Sequence, residues 1–335
     1  MSKPRIAILV RGPLHDELFQ PQVERAMRRF AEPVGFAGEE QVWSADEIKQ
    51  ALADVDGCIG SWGTYHIGPD EIAAAPRLRI VSHAAGTIRA HIAPEVFDRG
   101  IVVTSAAAAI APYVAEAVVG LAIALLRGVH MHDAAMKTDR TWGDERHKAG
   151  QTLFRERVGL VGFGRVAREV VRLLRPLGAQ VIAYDPYSDA ALAKRMRVRL
   201  TSLEEVMKTC RVVSLHAARL PSTRHLIGRD QLRLMQDGAA LINTARGAIL
   251  DHDALHDELR TGRIHAALDV TDPEPLPPDS PLRDLRNVIL TPHIAGPVRG
   301  RRWEMAMMAV KDQALFFSGK EPLYRVTKEM LEWMA

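Results

Sequence analysis

A chain of 335 residues is longer than one hydrophobic core ordinarily organises, so two domains are expected. Its 47% hydrophobic and 25% charged content is that of a globular protein and excludes a disordered one. Basic and acidic residues nearly balance, 44 against 41 for a formal charge of +3, with only Arg299, Arg301 and Arg302 clustered. That argues against a nucleic-acid partner, which needs a concentrated basic footprint.

The first apolar run, residues 6–10, ends at Arg11. It is too short for the apolar region of a signal peptide and reads as a buried strand. Further Val/Ile-rich runs follow at 57–59, 80–82, 101–104, 157–161, 181–184, 212–216, 239–243, 266–270 and 288–291. Runs apolar at every position, separated by helical patterns, imply parallel strands covered on both faces. Residues 111–127 read as one long helix with Pro112 in its first turn, where a missing N–H costs nothing. Its apolar stretch, 114–126, contains Glu116 and falls short of the roughly 20 residues that a bilayer span takes, so no membrane segment is expected. A helix apolar nearly all round must be covered by other protein, and a homodimer is expected. Residues 302–317, stopped by Gly319, form a second long helix that crosses back to the first domain, and the proline-rich stretch 272–281 is a loop.

Cys58 and Cys210 sit inside apolar runs, as reduced, buried thiols of a cytoplasmic protein do. His252 and His256 stand at a metal-compatible helical spacing, but no third ligand pattern accompanies them and zinc sites take three or four ligands. They read as a solvated face, as do His130 and His132, and no metal is expected.

Residues 157–167 run Arg-Val-Gly-Leu-Val-Gly-Phe-Gly-Arg-Val-Ala: a strand, a glycine turn, then a helix. Gly162 permits the tight turn and Gly164 lets the backbone approach a pyrophosphate. Ala167 takes the third position, where a small residue allows close helix–strand packing. Phe163, Arg165 and Val166 complete the turn and the helix N-terminus, whose N–H groups and dipole favour phosphate. The next strand ends at Asp185, roughly 20 residues on, where a carboxylate binds the ribose hydroxyls and repels a 2′-phosphate. This favours NAD over NADP. Packing glycines and a capping Asp are the plain alternative, outweighed by the order strand, turn, helix, strand, acid.

Three later segments each place a polar residue just after a buried strand: 241–251 with Arg246, 267–275 with Asp269 and Glu274, and 290–296 with His293. In open α/β sheets ligands bind at that edge. With these motifs in order, the sequence resembles the D-isomer-specific 2-hydroxyacid dehydrogenase family over essentially the whole chain. The resemblance implies that Arg246 is the substrate arginine, His293 the acid/base and Glu274 its carboxylate partner. The chemistry needs these types. Arg's planar fork offers a permanent cation to a keto acid. Histidine titrates near neutrality, and an adjacent carboxylate favours the imidazolium and fixes the ring. Nicotinamide supplies the hydride.

The same resemblance implies that Asp269 contacts the nicotinamide carboxamide, a buried strand-end Asp being the alternative. Thr244 and Ala245 would line the cofactor through backbone atoms, and His216, Ala217 and Gly296 would join them; the Pro usual after the strand-end His is Ala218 here. In the first domain, backbone amides of Ala85, Gly86 and Thr87 would grip the substrate. Arg89, where an Asp is frequent, either favours a substrate with a second anionic or polar group or, the preferred reading, is simply solvated. The stretch from Ser61 through Trp62, Gly63 and Thr64 to Tyr65 either faces substrate or simply packs.

The expected architecture is a Rossmann-type, doubly wound parallel sheet domain (108–297) inserted into a smaller flavodoxin-like α/β substrate domain (1–107 with 298–335), with the active site in a cleft that closes against water. The expected activity is that of a cytoplasmic, NAD-dependent, hydroxypyruvate/glyoxylate-type reductase acting on a small 2-keto or 2-hydroxy acid. The alternative from another class is an NAD-sensing, corepressor-like regulator; such proteins carry extra partner-binding segments that are not seen here. Similar formate dehydrogenases lack the Glu of the triad, and the long form of phosphoglycerate dehydrogenase carries a regulatory domain for which no residues remain.

Overall fold

The Val/Ile-rich runs become most of the strands of two sheets in the computed structural model, which describes residues 2–35, 43–63, 65–144 and 150–334. The chain divides into two compact units, residues 1–110 with 297–335, and residues 111–296. Thr64 lies outside the described residues.

The first unit holds β1 (Arg5–Leu9), β2 (Glu32–Gly35), β3 (Gly57–Gly60), β4 (Ile80–His83) and β5 (Val102–Ser105). Its sheet is six-stranded, in the order Arg325–Val326, β5, β4, β3, β1, β2, and the C-terminal strand runs antiparallel to β5. The sequence pattern shows neither that strand nor β2. Pro33 and Gly35 disguise β2, and both elements lie at sheet edges, where such residues are tolerated and apolar cover is not required. The helix Trp303–Phe317 packs on this sheet through a polar seam: the buried Gln313 side chain donates to Cys58 O (2.8 Å) and Ser82 Oγ (3.2 Å). Asp312 accepts the N–H groups of Leu323 (2.9 Å) and Tyr324 (3.1 Å), which turns the chain toward its last strand.

The second unit holds β6 (Arg157–Val161), β7 (Gln180–Tyr184), β8 (Arg199–Leu200), β9 (Val212–Leu215), β10 (Ala240–Asn243), β11 (His265–Leu268) and β12 (Val288–Leu290). All pair in parallel, in the order β12-β11-β10-β9-β6-β7-β8. The order reverses between β6 and β9, and the ends of those two strands make the switch point at which open α/β sheets bind ligands. The two-residue β8 is another edge element that the sequence pattern does not show.

The long apolar helix runs Ala107–Leu126 and so begins before residue 111, with Pro112 inside it. The alanines of residues 107–109 are the strongest helix formers and extend the helix beyond the proline, at the cost of one backbone hydrogen bond. At 20 residues it is long and apolar enough to cross a membrane by length and composition, which corrects the expectation that the stretch falls short. One seam of it is nonetheless core: Ala115, Val118, Ala122, Leu125 and Leu126 cluster with Leu160 and Phe163. Ile123, off that seam, is 42% exposed.

Cys58 and Cys210 are both buried. Burial pushes the Cys58 thiol well above its ordinary value and that of Cys210 up to about 11, which keeps both protonated and unreactive. His252 and His132 are not the solvated residues that their helical positions suggest. The His252 ring donates to Leu250 O (3.1 Å) and burial lowers its pKa, while His132 Nδ1 accepts the Asp144 N–H (2.9 Å).

Candidate active site

The glycine turn follows β6 directly. Gly162 has φ +96°, and a Cβ there would stand 2.7 Å from the backbone of His216 and Ala217, where β9 ends, so only glycine closes the turn against the neighbouring strand. No atom lies within 4 Å of where a Cβ on Gly164 would be, which leaves its face open to a ligand. The helix Arg165–Leu174 starts here with Gly164 as its N-cap and no side-chain cap hydrogen bond from it, so its positive dipole end faces the turn. Phe163 is fully buried and Val166 packs against the same cluster. The Phe163 N–H donates to Asp185 Oδ2 (2.7 Å) and the Tyr187 N–H to Oδ1 (2.8 Å), which pins the carboxylate at the end of β7 beside the turn. An ionised carboxylate has about four acceptor positions, so ribose hydroxyls still find room on it.

Two buried polar atoms at neighbouring strand ends, His216 Nε2 and Thr244 Oγ1, have no partner among the described residues. Burial lowers the His216 pKa to about 3, so the ring is neutral. Buried polar atoms are normally satisfied, and with the open glycine face and the pinned Asp185 they form a site that fits a dinucleotide. The Ala245 backbone is held by its own loop. Its N–H is held by Asn243 Oδ1 (3.1 Å) and its carbonyl accepts Arg246 Nη1 (2.6 Å).

Asn243, which the sequence reading passes over, shapes the arginine loop. It is fully buried and its side chain bonds both the Ala245 N–H and the Arg246 carbonyl (3.0 Å), closing a tight turn that projects Arg246. Burial pushes the Arg246 guanidinium down from its ordinary value, with Glu274 opposing the shift and Arg219 adding to it. An arginine stays charged regardless. Gly247 sets the approach of the next loop: a Cβ there would lie 2.0 Å from the Thr271 carbonyl. Bare backbone against backbone thus brings the Arg246 loop up to the loop carrying Glu274.

Glu274 Oε1 lies 2.5 Å from His293 Nδ1. His293 has φ +55°, a left-handed conformation costing about 1–2 kcal/mol for a residue with a Cβ. Asp269 offsets that cost. Its Oδ1 accepts the Thr291 hydroxyl (2.6 Å) and the Ile294 N–H (2.8 Å), its Oδ2 accepts the Ala295 N–H (2.9 Å), and its carbonyl accepts the His293 N–H (2.9 Å). Three of the carboxylate's roughly four acceptor positions thus hold the histidine turn. Gly296 follows this turn, and no atom crowds it. Glu274 is thus hydrogen-bonded to His293, and its charge acts on the Arg246 guanidinium from the neighbouring loop.

In the other unit, after β4, the N–H groups of the fully buried Ala85 and the half-buried Gly86 and Thr87 have no acceptor among the described residues. Beneath it the Tyr65 hydroxyl meets His83 Nδ1 (3.1 Å), and burial lowers the His83 pKa to about 3. Arg89 is not simply solvated, since its Nε donates to Met334 O (3.1 Å). Trp62 packs against the buried cluster under β1, with the Arg302 guanidinium 5.5 Å from its ring.

Residues 119–295 match the family model described as D-isomer specific 2-hydroxyacid dehydrogenase, NAD binding domain. The chain is similar to a D-3-phosphoglycerate dehydrogenase of Methanocaldococcus jannaschii, 33% identical over 86% of this chain and 53% of that protein, so it spans about half that relative's length. It is also similar to a glyoxylate reductase of Aeropyrum pernix, 34% identical over 80% of this chain and 82% of that one. A solved phosphoglycerate oxidoreductase from Rhizobium etli superposes with a TM-score of 0.81 at 28% identity, covering 97% of this chain and 98% of that chain.

Proposed function

This chain belongs to the D-isomer specific 2-hydroxyacid dehydrogenases, an NAD-binding oxidoreductase family, and from that premise we propose that it reduces a short 2-keto acid of the glyoxylate or hydroxypyruvate kind with NADH. The observation that carries the reading is the Glu274–His293 pair, 2.5 Å apart, in the loop that backbone contact at Gly247 brings against the loop of Arg246. Bound nicotinamide supplies the hydride. Arg246 binds the substrate's carboxylate and carbonyl through the guanidinium nitrogens not committed to Ala245 O. His293, its Nδ1 held by Glu274, gives the carbonyl oxygen its proton and takes the proton back in the reverse direction. Ala85, Gly86 and Thr87 hold the carboxylate through backbone N–H groups.

The test is NADH absorbance with glyoxylate, hydroxypyruvate, pyruvate and 3-phosphohydroxypyruvate. The first two are expected to give the highest kcat/KM; a preference for the phosphorylated acid would overturn the substrate assignment. No turnover on any acid, with NADH still bound, would favour an NAD-sensing regulatory role. NADH is expected to outperform NADPH, because a carboxylate pinned by two backbone N–H groups cannot swing away from a 2′-phosphate. Asp185→Ser is expected to narrow that gap, and a wild-type preference for NADPH would refute the assignment of Asp185.

The exposed apolar residues Ile123 (42%), Val129 (54%), Met136 (48%) and Trp142 (90%), on and just after the long helix, support a homodimer that covers them. Light scattering is expected to return about twice the chain mass of 37.0 kDa, and a monomer at micromolar concentration would refute it. The reading places the enzyme in the cytoplasm, where its two thiols stay reduced, with neither nucleic acid nor membrane as a partner.

A further inference from the structure

We propose that Ser105, assisted by Ser61, is a positioning residue that aims the N–H groups of Ala85, Gly86 and Thr87 at the substrate carboxylate. The inference rests on the reading of that loop as the anion grip.

The argument begins with sheet register. β4 lies between β3 and β5, with His83 opposite both Gly60 and Ser105. The loop leaving β4 is therefore flanked by Ser61, the residue leaving β3, and by Ser105, the last residue of β5. Both serines are buried, at 0% and 6% exposure. The Ser61 hydroxyl donates to Ala84 O (3.0 Å), and the single Ser105 hydroxyl proton goes to Gly86 O (2.7 Å), shared more weakly with Ala85 O (3.2 Å).

Those carbonyls belong to three successive peptide planes whose other ends are the N–H groups of Ala85, Gly86 and Thr87. In a planar trans peptide, C=O and N–H point in opposite directions, and no cis bond occurs in this loop among the described residues. Tying the carbonyls down toward the serines therefore turns the N–H groups the other way. Those N–H groups meet no acceptor among the described residues, although backbone donors in folded chains are nearly always paired. Gly86 and Thr87 are only half-buried, so an anion can reach them. Ser105 can do this at no electrostatic cost, since a hydroxyl donates without carrying a charge that would repel or trap the carboxylate.

Ser105 Oγ also accepts the Ala107 N–H (3.3 Å) at the start of the long helix, so a purely structural role must be separated from orientation. Ser105→Ala is expected to raise KM for glyoxylate about tenfold, the scale of one lost hydrogen bond, with kcat and the NADH dissociation constant changed little. Ser105→Thr, which keeps the hydroxyl, is expected to restore KM. Ser61→Ala, which frees one carbonyl, is expected to raise KM about threefold and provides the measurement should Ser105→Ala fold poorly. A helix-capping role alone would lower the melting temperature and leave KM unmoved, which would overturn the proposal.

In parallel, oxamate is titrated into the wild-type chain saturated with NADH while the amide resonances of Gly86 and Thr87 are followed. Shifts there together with raised KM values support the proposal. Shifts with unchanged KM in both Ala variants overturn the role of the serines and leave the loop reading standing. No shift at either amide overturns the loop reading itself, and the proposal with it.

Discussion

His293→Ala is expected to lower kcat about a hundredfold to ten-thousandfold, in reduction and in oxidation alike, the range that one positioned proton-transfer group supplies. The dissociation constant for NADH is expected to stay within about twofold, because the glycine turn at Gly162 and the pinned Asp185 belong to other loops of the sheet edge. Glu274→Gln keeps the shape but removes the charge beside His293 Nδ1, 2.5 Å away. It is expected to cost less than the histidine, about a hundredfold or less in kcat in both directions, because the ring loses the partner that orients it but keeps its proton-carrying nitrogen. Steady-state rates in both directions, with NADH fluorescence titration on the same samples, decide the matter. Retained kcat in His293→Ala would remove it as the acid/base, and an unchanged kcat in Glu274→Gln would show that the ring does not need that residue to hold it.

Gly247→Ala is expected to be nearly as damaging although it touches no reacting group. A methyl there would have to occupy space 2.0 Å from the Thr271 carbonyl and 2.5 Å from Asp272 N, and backbone cannot step aside as a flexible side chain can. The loops bearing Arg246 and Glu274 must then part. Overpacking of this kind costs about 1–3 kcal/mol of stability, and misplacement by about 1 Å lowers turnover about a hundredfold. Gly296→Ala is the control, since nothing lies within 4 Å of its added Cβ; its melting temperature is expected to match wild type. A Gly247→Ala enzyme with wild-type melting and kcat would show that the two loops do not need that close approach.

Much of this protein can be read in its sequence, because the signals are local. Fully apolar runs can only be doubly covered strands, so the central strands of both sheets are visible. The glycine turn and Asp185 are visible because chain geometry and phosphate chemistry demand those types at that spacing. Arg246, Glu274 and His293 stand out through motif resemblance, each in the loop that follows a strand of the second sheet.

What stayed hidden depends on partners distant in sequence. The edge strands Glu32–Gly35, Arg199–Leu200 and Arg325–Val326 exist because a neighbour offers hydrogen bonds, with no pattern of their own. The long helix outruns its proline because the alanines before Pro112 favour helix more than one lost bond opposes it. The occupation of Asp269 by the His293 turn, the closing of the Arg246 turn by Asn243 and the tying of the loop carbonyls by Ser61 and Ser105 are all pairings across strand ends. A serine or asparagine at a strand end has many possible partners, and only the register of neighbouring strands selects one.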